Sequence, residues 1–269
     1  MLRTEMRNEA TRHIDKMDTL SMLKLINDEN IKAAKAVEAA TDSIAKVCDA
    51  VAERYEKGGR IFYIGAGTSG RLGVADAAEC PPTCGIPKDR VIGIIAGGER
   101  CMAVAAEAEE DDPKAGAEEL KKYNLSPLDT VVGISASGGA AYVVGALEYA
   151  NRVGALSVSL SSNYGTPMEE VAQTAIVTDT GPEVITGSTR MKSGTAQKLV
   201  LNMISTSVMV KMGYVYENLM INLKPGNIKL KNRMVSIVCD IMKCDVKKAN
   251  ELLDKYSWNI RAVAEGEGK

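Results

Sequence analysis

The pattern of hydrophobic positions changes twice along the 269-residue chain, near residues 58 and 225. Residues 1 to 55 place apolar side chains at helical spacing, as in "IKAAKAVEAATDSIAKVCDAVAERY". From Arg60 onward, short apolar runs alternate with Ala-rich helical stretches. These runs are "IFYIG" (61–65), "VIGIIAG" (91–97), "TVVGIS" (130–135), "ALSVSL" (155–160) and "AIVTD" (175–179). The alternation predicts an α/β fold with a parallel five-stranded sheet and helices on both faces.

Breaks in this pattern divide the chain into three predicted parts. An N-terminal helical arm covers residues 1–55, and an α/β domain covers residues 56–224. Residues 225–269 predict three short helices with a turn at Trp258-Asn259-Ile260, in a spacing similar to UBA-like units. We expect the final "EGEGK" to be disordered.

Two helices of the central domain are marked by their own signals. Asp112-Pro113 predict an N-cap followed by proline at the first helical position. Residues 189–210 predict a long amphipathic helix, and we expect its methionines in the core or at a dimer surface.

A glycine-rich loop follows the first predicted strand. Gly65, Gly67 and Gly70 match G-x-G-x-x-G, whose backbone N–H groups and helix dipole hold an anion. Dinucleotide binding also needs an acidic residue about 20 positions further on to hold the ribose. Glu99 follows only about 30 residues after the loop. The loop therefore favours a phosphate group over a dinucleotide.

Two further loops carry hydroxyls before a helix: the second loop, "SASGGAAY", follows the third strand, and a third loop lies further along the chain. With strand order 2-1-3-4-5, the loops after the first and third strands flank the point where ligands bind in open α/β sheets. Hydroxyls and backbone amides there suit the phosphate of a sugar, and the alternative is that the serines only cap helices. The third loop, "GSTRMKSGTAQK", has the same two interpretations. The candidate phosphate-binding residues are Gly67, Thr68, Ser69, Ser135, Ser137, Gly138, Ser188 and Thr189.

Carboxylates are the remaining candidates for acid–base chemistry. Glu79 stands in "DAAECPPT", where we expect Pro81-Pro82 to end the helix. An unfavourable helix dipole and poor solvation would raise its pKa, which suits a general acid. A second acidic group is "AEAEEDD". His13 is the single histidine and Cys80 and Cys84 have no matching second pair, so a zinc site or a serine hydrolase triad is not supported.

Composition narrows the classes of partner. The net charge of -2 and the 4% aromatic content favour neither nucleic acid nor an anionic surface. No run of about 18 apolar residues predicts a membrane span, and "MLRTEMRNEATRHIDKMD" lacks the apolar core of a signal peptide. The six cysteines show no framework of regular pairs, so we expect a cytoplasmic protein.

Several long segments carry a specific resemblance. They include "GRIFYIGAGTSGRLGVADAAECPPTCGIP", "IIAGGERCMAVAAEAEEDD", "DTVVGISASG" and "GPEVITGSTRMKSGTAQKLVLNMIST". In these segments the chain resembles the N-acetylmuramic acid 6-phosphate etherases, members of the sugar isomerase (SIS) domain superfamily. The same signature occurs in animal glucokinase regulatory proteins, which bind phosphosugars without turning them over. The resemblance implies an SIS-type, flavodoxin-like fold and a small phosphosugar ligand.

The resemblance also implies a reaction. The D-lactyl ether of N-acetylmuramic acid 6-phosphate is cleaved to N-acetylglucosamine 6-phosphate and D-lactate. The sugar ring opens, the proton next to the aldehyde is removed, lactate leaves from C3, and water adds to the alkene. No metal or redox cofactor is implied, and a homodimer is. Two family glutamates fall on Glu79, the acid that assists departure of the lactyl oxygen, and on Glu110, the second acid/base.

One departure from the family leaves alternatives open. Etherases usually read Arg-Thr-Pro-Tyr after "SASG", whereas this chain has Gly139-Ala140-Ala141-Tyr142. The loss of one charge-assisted bond to phosphate costs about 1.5–3 kcal/mol. A non-catalytic phosphosugar sensor or an etherase homologue with an altered substrate is therefore the alternative to the lyase. An aldose–ketose isomerase is disfavoured by "ECPPT", and retention of both glutamates favours the enzyme.

Overall fold

The structure, a computed structural model, describes residues 1–104 and 110–267. It divides into two compact units. The first is Met1–Ala78 with Asp89–Val208, and it takes in the predicted N-terminal arm and most of the predicted α/β domain. The second is Glu79–Lys88 with Met209–Lys269, and it takes in the predicted C-terminal helices.

The first unit is built on a five-stranded sheet in which all neighbouring strands are parallel. The strands are β1 (Ile61–Gly65), β2 (Val91–Ile95), β3 (Thr130–Ile134), β4 (Leu156–Ser161) and β5 (Thr174–Val177). Their order β2-β1-β3-β4-β5 confirms the predicted fold. Every residue of β1, β3 and β4 is buried, which explains why β1 and β3 read as largely apolar runs, whereas buried serines alternate with apolar residues in β4.

The central pair of strands is fixed at its amino ends by an ion pair. Arg60, just before β1, meets Asp129, just before β3, at 2.8 Å. The Asp129 carboxylate also accepts the N–H groups of Arg60 and Ser126 at 2.8 and 2.7 Å. Burial raises the pKa of Asp129, but the bonds from Arg60 and Ser126 outweigh it, and the pKa is lowered. These contacts hold β1 and β3 in the register that pairs Gly65 with Ile134.

Over the described residues, seven α-helices belong wholly or largely to the first unit. They are α1 (Thr19–Ala39), α2 (Thr41–Glu56), α3 (Gly67–Cys84), α4 (Pro113–Lys121), α5 (Ala141–Val153), α6 (Pro167–Val171) and α7 (Lys192–Lys211). Asp112 accepts the N–H groups of Lys114 and Ala115, which confirms the predicted cap of α4. The predicted helix 189–210 corresponds to α7, which begins three residues later.

Glycines show that α3 and α5 cover opposite faces of the sheet. A Cβ on Gly73 of α3 would lie 2.9 Å from Tyr63 Cβ and 3.2 Å from Ile134 Cδ1. A Cβ on Gly133, the neighbour of Ile134 in β3, would instead lie 2.6 Å from Val143 Cγ1 of α5. Because successive strand residues face opposite sides, the helices after β1 and β3 diverge to opposite faces.

The prediction that Pro81-Pro82 end the helix after β1 is wrong. Helix α3 continues to Cys84, and Gly85 N–H closes its last turn on Pro81 O at 2.9 Å. The fixed φ of proline is helical, and near a helix end its missing N–H removes few hydrogen bonds. Glu79 therefore lies within the helix and is exposed, so the expected poor solvation of its carboxylate is also wrong.

The segment before α1 is not α-helical as predicted for residues 1–55. It forms three short 3₁₀ helices, Arg3–Glu5, Glu9–Thr11 and Ile14–Lys16. Its polar side chains form hydrogen bonds with backbone and side-chain groups that are distant in the sequence. Thr11 Oγ1 donates to Val184 O at 2.8 Å, and Asn163 Nδ2 donates to Thr4 Oγ1 at 3.1 Å. Since Asn163 follows β4 and Val184 follows β5, the segment runs along the edge where the strands end.

The second unit is a small hairpin with three helices. The hairpin pairs β6 (Val215–Tyr216) with β7 (Leu219–Met220), and the helices are α8 (Ile228–Met242), α9 (Val246–Lys255) and α10 (Ile260–Gly266). Their core includes Met234, Val238, Leu253 and Val263, all fully buried. The three helices confirm the prediction for this region, which did not anticipate the hairpin.

The expected disorder of "EGEGK" is wrong for its first three residues. Glu265 and Gly266 belong to α10. Glu267 accepts hydrogen bonds from Lys255 Nζ at 2.7 Å and from Tyr256 OH at 3.0 Å. These bonds hold the end of α10 on α9. Residues 268 and 269 lie outside the described residues.

Candidate functional site

A cavity of about 320 Å³ opens where β1 and β3 end side by side. Six of the eight predicted phosphate-binding residues line it: Gly67, Thr68, Ser69, Ser135, Ser137 and Thr189. The predicted Glu110 and Gly187, the first residue of the third loop, also line it, together with Glu5, which the sequence pattern does not place there. Gly138 and Ser188 are not part of this lining, and Glu79 belongs to the second unit.

The glycines after β1 are required by a tight turn. A Cβ on Gly70 would lie 2.5 Å from Gly65 O, and a Cβ on Gly65 would lie 2.8 Å from Gly70 N. Helix α3 begins directly at Gly67, which has a φ of 51°. The N–H groups at the start of α3 have no partner within the helix, and the positive end of the helix dipole lies at the cavity. The loop thus has the donors of an anion site without any dinucleotide feature.

Ser69 has a buried side-chain partner. Its hydroxyl donates to Gln197 Oε1 on α7 at 3.0 Å. Gln197 is 1% exposed, and its Nε2 is buried with no hydrogen-bond partner among the described residues. In this arrangement the Ser69 proton is directed to α7 rather than to the cavity.

The serines after β3 organise their own loop. Ser135 Oγ accepts Gly138 N–H and Ser137 Oγ accepts Gly139 N–H, both at 3.2 Å. The two hydroxyl oxygens lie 3.2 Å apart, so one hydroxyl donates to the other. One of the two protons is then left to donate to a ligand. Gly138 supports this turn from outside the cavity with a φ of 75°.

The third loop is held by buried charges. Glu183, fully buried, accepts the N–H groups of Lys192 and Ser193 at 3.0 and 2.9 Å and so caps α7. Capping by Ser188 or Thr189, the alternative interpretation, is therefore not what starts this helix. Lys192 Nζ donates to Glu29 Oε2 at 2.5 Å and to Pro182 O at 2.6 Å, with both charged side chains at most 2% exposed. The Lys192 cation thus stabilises the fold and does not point into the cavity as a ligand for an anion.

The 3₁₀ segment brings Glu5 to the cavity. Arg3 forms an ion pair with Asp179 at 2.7 Å, and the buried Thr4 N–H donates to Asn163 Oδ1. Glu5 follows directly, and a Cβ on Gly187 would lie 3.2 Å from Glu5 Oε2. The run "RTEMRNEAT" lacks apolar residues at helical spacing. This is the signal in the sequence that could have indicated a segment without an α-helix.

Glu110 reaches the cavity from the approach to α4. It stands two residues before the capping residue Asp112, and residues 105–109 lie outside the described residues. On the other side of that gap, Arg71 of α3 donates to Met102 O at 3.0 Å and to Val104 O at 3.2 Å. Val104, before this gap, is therefore held by α3, and Asp112, after it, caps α4.

The lining combines two carboxylates with hydroxyls and backbone amides, and among the described residues it includes no lysine or arginine. Phosphate would be held there by neutral donors and a helix dipole. No group of three or more histidine, cysteine, aspartate or glutamate residues suited to a metal ion occurs among the described residues. Over those residues, no helix is both long and apolar enough to cross a membrane.

A second cavity of about 410 Å³ contains more cations. Arg3, Lys32, Lys35 and Lys192 line it together with Glu29 and Asp179. Arg3 pairs with Asp179 at 2.7 Å, and Lys32 and Lys192 both pair with Glu29 at 2.5 Å. The two carboxylates thus offset two of the four positive charges.

Two family models match the chain. The glucokinase regulatory protein N-terminal SIS domain matches residues 43–151, and the SIS domain matches residues 114–207. The N-acetylmuramic acid 6-phosphate etherase of Clostridium beijerinckii is 51% identical over 260 residues, which cover 97% of this chain and 86% of that protein. The etherase of Lactobacillus acidophilus is 49% identical over 259 residues, which cover 96% and 87%.

Solved structures share the fold at lower identity. A candidate phosphosugar isomerase from Bacteroides fragilis has a TM-score of 0.57 and 21% identity, covering 76% of this chain and 98% of that one. The phosphoheptose isomerase from Neisseria gonorrhoeae has a TM-score of 0.52 and 17% identity, covering 71% and 98%. At these identities the similarity concerns the fold.

We expect Lys192→Met to lower the free energy of unfolding by about 3 kcal/mol, because it leaves the buried Glu29 carboxylate with Lys32 as its remaining cation. Chemical denaturation measures this change. Lys57→Met is the control, since the Lys57–Glu53 pair is more than half exposed and its loss should cost less than about 1 kcal/mol.

The same pair makes stability depend on pH. Burial raises the pKa of Glu29, but hydrogen bonds from Lys192 and Lys32 outweigh it and bring the pKa below 4.5. The wild type should therefore lose this stabilisation as the pH falls below 4.5, and Lys192→Met should lose less. Equal stability of Lys192→Met and wild type at pH 7 would show that the pair contributes nothing.

Proposed function

The chain belongs to the N-acetylmuramic acid 6-phosphate etherase family, and we propose that its reaction takes place in the cavity at the ends of β1 and β3. The reaction is that of a carbon–oxygen lyase. It cleaves the D-lactyl ether of N-acetylmuramic acid 6-phosphate and yields N-acetylglucosamine 6-phosphate and D-lactate. The observation that carries the choice of cavity is the meeting of two phosphate-type loops and Glu110 in one lining.

The phosphate is proposed to lie between the two loops. On one side, the first N–H groups of α3 and the Thr68 hydroxyl offer donors, and on the other the Ser135–Ser137 pair offers a hydroxyl proton. Thr189 adds a hydroxyl from the third loop. This set of donors stabilises the phosphate dianion through hydrogen bonds and the helix dipole alone.

The chemistry needs a base and an acid beside the sugar. A base takes the proton from C2 of the ring-opened sugar, and the C3–O bond breaks while an acid protonates the departing lactyl oxygen. Water then adds to the alkene, with hydroxide going to C3 and a proton returning to C2. We assign Glu110 as one of these acid/base groups because it lines the cavity.

Glu79 is proposed as the second group, the acid for the lactyl oxygen. This role rests on the resemblance of "AECPPT" to the family motif. Glu79 lies on the same helix as the phosphate loop and ten residues after Ser69. Its side chain is exposed.

A non-catalytic phosphosugar sensor is the second candidate, favoured by the loop Gly139-Ala140-Ala141. Ala140 is the N-cap of α5 and makes no side-chain cap, and Ala141 is the first helical residue. Threonine and proline, the usual family residues there, are what these two positions prefer. The loop thus lacks both capping and a cation next to the cavity.

A homodimer is a further proposal, which rests on the resemblance and is tested by sedimentation equilibrium. The cytoplasmic location likewise stays a prediction from the sequence.

If the chain is a lyase, the purified wild type should release D-lactate from N-acetylmuramic acid 6-phosphate. Glu110→Gln and Glu79→Ala should each reduce kcat by at least about 100-fold, because each removes a proton-transfer group. Glu118→Gln, on the exposed face of α4, is the control and should keep wild-type activity. Lactate is measured with D-lactate dehydrogenase.

If the wild type binds N-acetylglucosamine 6-phosphate but releases no lactate at high protein and substrate concentrations, the sensor replaces the lyase. If Glu79→Ala keeps wild-type activity while Glu110→Gln loses it, the acid for the lactyl oxygen is a group other than Glu79.

Restoring the family residues tests the altered loop. The triple variant Gly139→Arg, Ala140→Thr, Ala141→Pro should bind N-acetylglucosamine 6-phosphate about 10–100-fold more tightly, because it adds a charge-assisted bond and pre-forms the start of α5. A Cβ on Gly139 meets no atom closer than 3.9 Å, so the first side-chain atom causes no clash. Calorimetry measures the affinity, with Ala140→Thr, Ala141→Pro as the control without the cation. Equal affinity of the triple variant and the wild type would show that this loop does not contact the phosphate.

A further inference from the structure

Glu5 lines the cavity and has no assigned role. Among the described residues, its carboxylate makes no hydrogen bond and no ion pair, although Gly187 stands close to its Oε2. Neighbouring carboxylates such as Glu9 and Asp179 are paired with arginines. An unpaired carboxylate in a binding cavity is available as an acceptor for a ligand.

The backbone at Glu5 is rigidly held. Thr4 is fully buried, and it exchanges two hydrogen bonds with Asn163, which is 2% exposed. Asn163 Nδ2 also donates to Ala136 O at 2.9 Å, within the loop that carries Ser135 and Ser137. The position of Glu5 is therefore tied to the phosphate loop after β3 rather than to a free chain end.

The charge of Glu5 limits what it can contact. A carboxylate only accepts hydrogen bonds, and the substrate carries two anionic groups, the phosphate and the lactyl carboxylate. Both would be repelled by Glu5, whereas the sugar hydroxyls and the acetamido N–H are neutral donors. Hydrogen bonds to a charged acceptor are stronger than neutral ones.

We propose that Glu5 determines specificity by accepting a hydrogen bond from a neutral donor of the sugar, a hydroxyl or the acetamido N–H, while its charge keeps the anionic groups away. The phosphate is then confined to the loops after β1 and β3, and the sugar is bound in one orientation. Gly187 is part of this device, because a Cβ there would lie 3.2 Å from Glu5 Oε2. The inference rests on the proposed function, because it takes this cavity as the phosphosugar site.

The test compares two ligands by calorimetry on the full chain. For Glu5→Gln, we expect the affinity for N-acetylglucosamine 6-phosphate to fall about 10-fold or more, because the charged acceptor is lost. The affinity for inorganic phosphate should stay equal or increase, because the repulsion is removed. Glu9→Gln, in the next 3₁₀ helix and outside the cavity, is the control and should change neither affinity.

Two results would overturn the proposal. Unchanged affinity of Glu5→Gln for the phosphosugar would exclude a contact, and an equal loss for both ligands would assign Glu5 to the shape of the loop. Failure of the lyase is recognised separately, as binding of the phosphosugar by the wild type without lactate release. Wild type that binds neither ligand would refute both proposals.

A second inference comes from the buried amide of Gln197. Its Oε1 accepts the Ser69 proton, while its Nε2 is buried without a partner among the described residues. Rotation of the amide by a half turn exchanges the two ends. Nε2 would then donate to Ser69 Oγ, and the Ser69 proton would be released toward the cavity.

We infer that Gln197 is a positioning residue that supplies this donor when phosphate binds, so that Ser69 donates to the phosphate. A glutamate at this position only accepts while ionised, so it keeps the Ser69 proton. Methionine neither accepts nor donates strongly and leaves the Ser69 proton free.

Gln197→Glu should therefore bind N-acetylglucosamine 6-phosphate about 10-fold more weakly at pH 8, and Gln197→Met should keep affinity within about threefold of the wild type. Relative to the wild type at each pH, Gln197→Glu should recover affinity toward pH 5 as its carboxyl group takes up a proton and becomes a donor. A purely structural role would show no such recovery. Circular dichroism checks that each variant is folded, and a larger loss in folded Gln197→Met than in Gln197→Glu would contradict the inference.

Discussion

The parallel pairing of β1 with β3 is the constraint on which the site depends. Arg60 and Asp129 lock the amino ends of the two strands, and the register then sets Gly65 beside Ile134 at the other end. The helices that follow leave toward opposite faces, so the two loops open a crevice between them. Both loops bring helix starts and hydroxyls to this crevice, and the cavity is a direct consequence of strand order.

Buried charge completes the walls of the cavity. Glu183 fixes the start of α7, and the pair of Lys192 with Glu29 joins the third loop to α1. The N-terminal 3₁₀ segment lies against the same loops through Thr4 and Thr11. As a result, Lys192 holds the scaffold, and in the proposed site the phosphate is bound by neutral donors.

The sequence predicts best what a local pattern determines. The bounds of the five strands agree with the predicted runs to within two residues, because these short, mostly buried strands are bounded by turn residues. Glycine and serine motifs indicate the two candidate phosphate loops, and the strand order brings the loops together. Glu5 was missed because its placement depends on hydrogen bonds between residues more than 150 positions apart, such as Thr4 with Asn163. The run of α3 through Pro81-Pro82 was missed because the rule for prolines inside helices weakens near a helix end. Local pattern makes Glu79 and the run "AEAEEDD" candidates for acid–base chemistry, whereas the choice of Glu110 within that run and the roles of both glutamates come from family resemblance.

The most direct test of this account is a crystal structure of the chain with N-acetylglucosamine 6-phosphate. We predict that the phosphate oxygens lie about 3 Å from the backbone N–H groups at the start of α3 and from the hydroxyls of Ser135 or Ser137. The sugar should extend toward Glu5 and Glu110. A phosphate bound instead in the cation-rich cavity of Arg3, Lys32 and Lys35 would contradict the assignment of the site.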